Sequence, residues 1–242
     1  MLILRRLLDL VLPRYCAACD APVVLDAPLC AACAGSLVPG AGASCPGCGL
    51  VYLTPPAGGA THRCGECLRT PPPFARAHAA YAYGAALADA VARWKNAPDH
   101  TLGPALGRLL VGAARDSGWT PPASAVVVPV PSHRRSLRRR HFNPAGVLAR
   151  DFALAYALPL DPTALVLERP IAPSKGLDRR ARLRRAQGAF APARPHALAG
   201  RSVVLVDDVM TTGATVRAAS SACLRGGARD VEVWVLGRAP RG

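Results

Sequence analysis

The sequence predicts an α/β domain with a mainly parallel sheet and flanking helices, preceded by a small cysteine-rich domain. Two observations lead to this prediction. Strand-like and helical segments alternate from residue 74 onward, and eight of the nine cysteines lie within the first 67 of the 242 residues. The composition is 51% hydrophobic but only 5% aromatic, so the core is built mainly of Ala, Val and Leu. This composition excludes a collagen-like chain and a chain that is disordered throughout.

The first thirteen residues, MLILRRLLDLVLP, place Arg5 and Arg6 inside an apolar stretch that ends at Pro13. They lack the small-residue cleavage site of a secretory signal, so we expect an amphipathic helix and a cytoplasmic protein. The longest apolar runs, such as Val203–Val206, have the length of a strand and fall short of the roughly 20 residues of a membrane helix. We therefore expect no membrane span.

Eight cysteines form four Cys-x-x-Cys pairs: Cys16, Cys19, Cys30, Cys33, Cys45, Cys48, Cys64 and Cys67. Each pair offers two thiolates to a tetrahedral ion, so four pairs predict two structural Zn²⁺ sites. Disulfides are the first alternative, although adjacent pairs of this kind rarely stabilise a fold. A thioredoxin-like redox site is the second, but it needs a single pair that opens a helix after a strand, not four pairs in a row. Sequential ligation would join the first two pairs and the last two, and interleaved ligation stays open.

Few large apolar residues separate these pairs, so metal binding is expected to supply the folding free energy of this segment. Pro71, Pro72 and Pro73 then mark a linker, because consecutive prolines cannot continue a helix or a central strand. We predict an N-terminal helix and double zinc ribbon over residues 1–70 and a second domain over residues 74–242. His62 is expected in a solvent-facing loop, and Cys223 as a small buried residue of a helix.

The hydrophobic pattern predicts the elements of the second domain in order. Leu87, Val91 and Trp94 at helical spacing indicate a first helix, and VVVPVP indicates a buried strand that enters a basic loop. The predicted helices are 85–95, 102–114, 144–156, 179–185 and 215–225, and the predicted strands are 126–131, 165–167, 202–206 and 231–236.

The segment SVVLVDDVMTTGAT, Ser202 to Thr215, is the most informative part of the chain. Its strand delivers Asp207 and Asp208 to the carboxyl end of the sheet, where open α/β sheets bind ligands. The next residues offer hydroxyls and backbone amides at a helix start, a cradle for phosphate: Thr211, Thr212, Gly213, Ala214 and Thr215. The two carboxylates then suit ribose hydroxyls beside that phosphate. The alternatives are a capped helix without a ligand and a phospho-acceptor aspartate of the receiver type, which leaves the loop unexplained.

This motif resembles the phosphoribosyl pyrophosphate (PRPP) motif of type I phosphoribosyltransferases. The whole chain resembles the ComF family, in which a leucine-rich helix and a double zinc ribbon precede a phosphoribosyltransferase domain. Further matches are Trp94-Lys95, the strand and loop at 126–145, the GAF tripeptide at 188–190, and Gly226-Gly227.

The resemblance implies binding of PRPP with Mg²⁺ on a type I phosphoribosyltransferase-like fold. Asp207 and Asp208 would be the catalytic groups that orient the ribose, and the 211–215 loop would hold the 5′-phosphate. A pyrophosphate loop is implied at Ser132, His133, Arg134 and Arg135. The resemblance also implies a role in DNA uptake during natural transformation, or in handling single-stranded DNA, with other DNA-uptake proteins as partners.

The chain departs from the family at two places. Where the family usually has Arg-Gly-Phe-Asn-Gln, residues 140–144 are Arg-His-Phe-Asn-Pro. The region that usually holds Gln and Arg-x-x-Asn offers Lys175 and the segment Arg182-Leu183-Arg184-Arg185. The resemblance therefore does not extend to the pocket of the second substrate, and the acceptor is not identified.

The formal net charge is +15, and residues 133–185 hold thirteen basic and four acidic side chains. Arginine binds phosphate oxygens in a bidentate manner, but PRPP needs only a few such contacts. The remaining arginines suit contact with a polynucleotide backbone, or they simply form a solvated helix surface whose charges repel one another. Aromatic rings such as Phe142 and Tyr156 are scarce in this region, which argues against recognition of bases.

Two hypotheses follow from the sequence. The first is a PRPP-binding protein that transfers the phosphoribosyl group to an acceptor. The second is a non-catalytic module that senses PRPP, or that holds DNA or a protein partner on its basic face and zinc ribbons. The intact Asp-Asp and threonine loop favour the first, and the altered second-substrate residues favour the second.

Overall fold

A computed structural model of the chain describes residues 14–23, 27–52, 62–96, 102–170 and 179–240. The helix predicted within the first thirteen residues lies outside these ranges. The strands are β1 (Arg14–Tyr15), β2 (Pro22–Val23), β3 (Arg76–Ala82), β4 (Ala125–Pro129), β5 (Leu165–Leu167), β6 (Phe190–Pro192), β7 (Ser202–Met210) and β8 (Asp230–Arg238). The helices are α1 (Ala31–Gly35), α2 (Gly65–Arg69), α3 (Ala85–Asn96), α4 (Leu102–Asp116), α5 (Arg134–Arg140), α6 (Pro144–Ala155), α7 (Arg179–Ala186) and α8 (Ala214–Arg225).

The central sheet has four strands in the order β3-β8-β7-β4. All three pairings are parallel, which confirms the predicted α/β fold with a parallel sheet. Val206 of β7 lies between Pro129 of β4 and Trp234 of β8. The carboxyl ends of β4, β7 and β8 therefore meet at one edge of the sheet.

Helices cover both faces of this sheet, because side chains alternate along each strand. Val204 and Val206 point into a core formed with α3, α4 and α6, where Phe152 is fully buried. Val203 and Leu205 point into the opposite core, formed with α8 and the small antiparallel pair β5 and β6. Both cores are rich in Ala, Val and Leu, as the composition indicates.

The cysteine-rich segment packs along the outer edge of β3. The amide of Gly40 donates to the carbonyl of Ala80, and the amide of Ala82 donates to the carbonyl of Val38, each at 2.8 Å. Gly40 has no room for a side chain, since a Cβ there would lie 1.9 Å from the carbonyl oxygen of Ala79. The ribbon thus covers a sheet edge that would otherwise be open to pairing with another chain. The domain boundary at residues 71–73 stays a prediction.

Most elements of the second domain lie within a few residues of their predicted positions, but β3, α5 and β6 are absent from the prediction. The sequence of β3, RAHAAYA, lacks the β-branched residues typical of strands. Residues 134–140 were predicted as a loop and form the short helix α5, and the three-residue strand β6 carried no distinct pattern. Within the described ranges, no helix has the length and apolar character that a bilayer crossing requires.

Candidate functional site

The cysteines form two clusters, and their pairing is sequential. Cys16, Cys19, Cys30 and Cys33 make one cluster, and the sulfur atoms of each cluster lie within 4.8 Å of one another. The second cluster contains Cys45, Cys48, Cys64 and Cys67, all buried. The sulfurs of Cys19 and Cys30, and those of Cys48 and Cys64, are 3.7 Å apart. Tetrahedral Zn²⁺ with bonds of about 2.3 Å places its sulfurs about 3.8 Å apart, so both clusters have the geometry of a Cys₄ zinc site.

Backbone geometry supports the second cluster as a metal site. The amide of Cys64 donates to the sulfur of Cys45 at 3.3 Å, as backbone amides do around bound thiolates. A hydrogen bond with Cys48 lowers the pKa of Cys45 to about 3, and the same contact raises the pKa of Cys48. A cation at the centre removes this competition for the negative charge.

His62 is exposed and its ring stacks on Tyr52, and Cys223 is buried in α8 as predicted.

The phosphate motif lies where β7 ends and α8 begins. Gly213 has φ +80°, and a Cβ there would lie 2.6 Å from Cε of Met210. The positive φ therefore favours glycine, whereas the contact with Cε, the far end of a flexible side chain, can be relieved by a change of the Met210 rotamer. Thr211, Thr212, Gly213 and Ala214 form the turn into the helix, with the amide of Ala214 donating to Oγ1 of Thr212 at 3.4 Å. The following twelve-residue helix presents its amino end to the same region.

A cavity of about 240 Å³ opens beside this turn. Its wall combines carboxylates, cations and hydroxyls: Lys95, Ser132, Arg140, Asp207, Asp208 and Thr215. The structure thus brings together four of the predicted site residues from β7, α8 and the segment after β4. Lys95, Arg140 and Asn143 also line the cavity but are not among the predicted site residues, although all three lie in segments that match the family.

The two aspartates differ in their partners. Asp208 forms an ion pair with Nζ of Lys95, and its Oδ1 accepts from the amide of Val209 at 2.6 Å. Oδ1 of Asp207 accepts from the amide of Asp208 at 2.9 Å. Burial, together with the adjacent charge of Asp208, raises the pKa of Asp207 well above its usual range. One carboxylate is therefore neutralised by a lysine, and the other tends to hold a proton.

Arg140 brings an unsatisfied donor to the cavity wall. Its Nε is buried and has no hydrogen-bond partner among the described residues. Burial lowers the pKa of Arg140, and Arg139 adds to this effect. Buried donors in proteins are nearly always paired, so this position calls for an acceptor. Arg140 also lines the cavity, where its positive charge favours an anion.

The predicted pyrophosphate loop divides between the cavity and α5. Oγ of Ser132 donates to Oδ1 of Asn143 at 2.7 Å, and Nδ2 of Asn143 donates to the carbonyl of Val130 at 3.0 Å. These bonds hold the segment after β4 against the start of α6. His133 instead caps α5, accepting from the amide of Arg135 at 3.2 Å. The side chains of Arg134 and Arg135 are exposed on the first turn of α5.

The fold and the two cysteine clusters define a zinc-ribbon protein with a parallel α/β domain. A family model described as the double zinc ribbon domain matches residues 7–68. The chain is 36% identical over 138 residues to DNA utilization protein YhgH of Escherichia coli O157:H7, covering 55% of this chain and 59% of that protein. It is 30% identical over 137 residues to Competence protein F of Haemophilus influenzae, covering 55% of this chain and 60% of that protein.

Together these matches support the resemblance of the chain to the ComF family. The chain spans about three fifths of the length of the curated relatives that it matches. Two solved structures are similar to 61% of the chain and 26% of their own chains, each with a TM-score of 0.36. One is the allosteric regulatory enzyme of purine biosynthesis, at 22% identity. The other is glutamine PRPP amidotransferase from B. subtilis complexed with ADP and GMP, at 20% identity.

We expect the purified protein to contain two Zn²⁺ ions per chain, because each cluster has four converging sulfurs. A chelator should remove the first ion faster, since Cys19 is exposed whereas all four cysteines of the second cluster are buried. Elemental analysis during a chelation time course measures both. Cys45→Ser should leave one ion, and the control Cys223→Ser should keep two. A wild-type content well under two ions contradicts the assignment.

Proposed function

We propose that the protein binds PRPP with Mg²⁺ in the cavity at the carboxyl end of β7. The observation that supports this most is the convergence of two carboxylates and an arginine beside a helix amino end. Asp207 and Asp208 line the same cavity of about 240 Å³ as Arg140, and so does Thr215 on the first turn of α8. Each feature matches one part of PRPP, which carries a ribose, a 5′-phosphate and a pyrophosphate.

The roles follow from the chemistry of each group. The amino end of α8 and the threonine hydroxyls would bind the 5′-phosphate, because backbone amides and the helix dipole favour an anion there. Asp207 and Asp208 would accept hydrogen bonds from the ribose hydroxyls. Arg140, with Ser132, would contact the pyrophosphate, and Mg²⁺ bound with PRPP would offset part of its negative charge.

Transfer of the phosphoribosyl group would proceed at C1′ of the ribose. The bond from C1′ to the pyrophosphate oxygen breaks with its electrons on the leaving group, and an acceptor nucleophile forms the new bond to C1′. The positive charge that develops on the ribose is stabilised by the carboxylates of Asp207 and Asp208. This chemistry needs orientation and charge stabilisation and no protein nucleophile.

Calorimetry of Mg²⁺-PRPP binding tests the proposal. We expect Asp207→Ala and Asp208→Ala to weaken binding about 10- to 100-fold each, the value of a hydrogen bond to a charged group. Asp230→Ala is the matched control, since Asp230 begins β8 at the opposite end of the sheet. Lack of binding by the wild-type protein would overturn the proposal.

The pH dependence of binding gives a second test. Because the pKa of Asp207 is raised, part of the free protein holds a proton that must leave before the carboxylate can accept from a ribose hydroxyl. Affinity should therefore rise as the pH increases through that pKa and level off above it. Asp208→Asn removes the neighbouring charge and should move the rise to lower pH. If Asp207→Asn keeps the wild-type profile, Asp207 is not the titrating group.

A transferase and a sensor differ in turnover. Release of pyrophosphate from PRPP in the presence of candidate acceptor bases, followed by mass spectrometry, indicates a transferase. Binding of PRPP without release for any acceptor favours a non-catalytic sensor.

The exposed arginines of α5 favour a second function, contact with a nucleic-acid backbone. Arg134, Arg135, Arg138 and Arg139 are all exposed, and no carboxylate partner is found for them within the described part of the chain. They exceed what one PRPP molecule can use, and they lie on the helix that ends at Arg140 of the cavity wall. The relatives are named as a DNA utilization protein and a competence protein, and these names support a role in DNA uptake.

Single-strand DNA affinity across a salt series tests this function. Removing two phosphate contacts with Arg138→Ala/Arg139→Ala should reduce the slope of log K against log salt by about 1.4. Arg108→Ala/Arg115→Ala removes the same charge from exposed positions of α4 and should leave the slope unchanged. Equal slopes in the α5 variant and the wild type would exclude contact of these arginines with phosphates.

A further inference from the structure

The last residue of β8, Arg238, is a charged side chain with only 1% exposure. Its Nε donates to the carbonyl of Cys48 at 3.2 Å. Its Nη1 donates to the carbonyls of Met210 and Ala239, each at 3.0 Å, and also contacts the carbonyl of Thr211. A buried guanidinium is costly unless several acceptors satisfy it, so this arrangement fixes its position tightly.

These acceptors belong to two different sites. Cys48 is a member of the second cysteine cluster. Met210 and Thr211 lie between Asp208 and Gly213, where β7 turns toward α8. One side chain therefore connects the backbone of the second cysteine cluster with the backbone of residues 210–215, the predicted phosphate turn.

A surface contact joins the same two parts from the other side of the turn. Arg217, on the first turn of α8, donates to the carbonyl of Thr70 at 2.7 Å and to that of Pro71 at 3.1 Å. Thr70 and Pro71 directly follow α2, the helix that carries Cys67. The segment from Met210 to Arg217 is thus attached at both ends to the chain around the second cluster.

The position of Arg238 depends on the metal site through the charges of the two groups. Four thiolates around one Zn²⁺ carry a negative net charge, and the guanidinium lies against the backbone of one of these ligands. When the site is loaded, the ribbon provides both a fixed carbonyl and a compensating charge. When it is empty, the knuckle around Cys48 loses the ion that holds it in shape.

We propose that Arg238 is a positioning residue that couples the second zinc site to the phosphate turn. The zinc-loaded ribbon holds the guanidinium, the guanidinium holds the carbonyls of Met210 and Thr211, and the amides of residues 213–215 are thereby kept in their binding orientation. The choice of PRPP as a ligand rests on the function proposed above, whereas the coupling itself is defined without any ligand.

Hydrogen exchange of the turn amides, measured without ligand on the full chain, tests the coupling. Arg238→Met keeps the bulk of the side chain but removes its donors. We expect exchange at residues 211–215 to rise about tenfold or more relative to α4, while zinc content stays at two ions, because the lost bonds are charge-assisted. Arg238→Lys keeps the charge but cannot reach all the carbonyls at once. Exchange of the turn amides in this variant should therefore lie between that of the wild type and that of Arg238→Met.

The zinc sites provide a matched pair of variants. Cys45→Ser empties the second site and should raise exchange in the turn, whereas Cys19→Ser empties the first site and should not. Adding Cys45→Ser to Arg238→Met should change the turn little further, as expected for two parts of one connection. Arg238→Met and Cys45→Ser should also weaken Mg²⁺-PRPP binding more than Cys19→Ser does.

Unchanged turn exchange in both Arg238 variants overturns the coupling, and so does an equal rise for Cys19→Ser and Cys45→Ser. If Arg238→Met does not fold, the Arg238→Lys and cysteine variants decide the question. If the wild type fails to bind PRPP while the exchange pattern follows expectation, the coupling stands and only the proposed function falls.

Discussion

The parallel pairing of β7 with β4 on one side and β8 on the other is the constraint on which the rest of the structure depends. It brings the exits of three strands to one edge: Asp207 from β7, Ser132 after β4 and Arg238 from β8. Because β7 is buried on both faces, a shift of one residue would move Asp207 or Asp208 into an apolar core. The register is therefore strongly specified, and the position of the cavity follows from it.

The cysteine-rich segment covers the edge of the sheet at β3, which would otherwise be exposed. The cysteine-rich segment has few large apolar residues of its own, yet its Cys45, Cys48, Cys64 and Cys67 cluster lies in the same core as β7 and α8. The backbone around Gly40 pairs with β3, and Arg238 reaches Cys48 from β8. The second cysteine cluster, the covered edge of the sheet and the turn after β7 are thus parts of one packing arrangement.

The charges around the cavity are balanced locally rather than overall. Lys95 compensates Asp208, and burial favours the protonated form of Asp207, so two adjacent carboxylates coexist beside the basic helix α5. Arg140 faces inward with a buried donor, whereas Arg134, Arg135, Arg138 and Arg139 face solvent. The arginines of α5 thus separate into one inner residue beside the cavity and an outer group that faces solvent.

The sequence by itself determined the features whose residues are close together along the chain. Spacing of cysteines predicted the metal ligands, helical periodicity located most helices of the α/β domain, and the contiguous segment from Ser202 to Thr215 predicted the phosphate turn. Tertiary structure alone decided the sequential pairing of the clusters, the strand character of β3, and the presence of Lys95 and Arg140 at the cavity. It also decided the contact of Arg238 with Cys48, 190 residues away. The physical reason is that these features depend on strand pairing and burial between distant segments, which no local pattern of residues encodes.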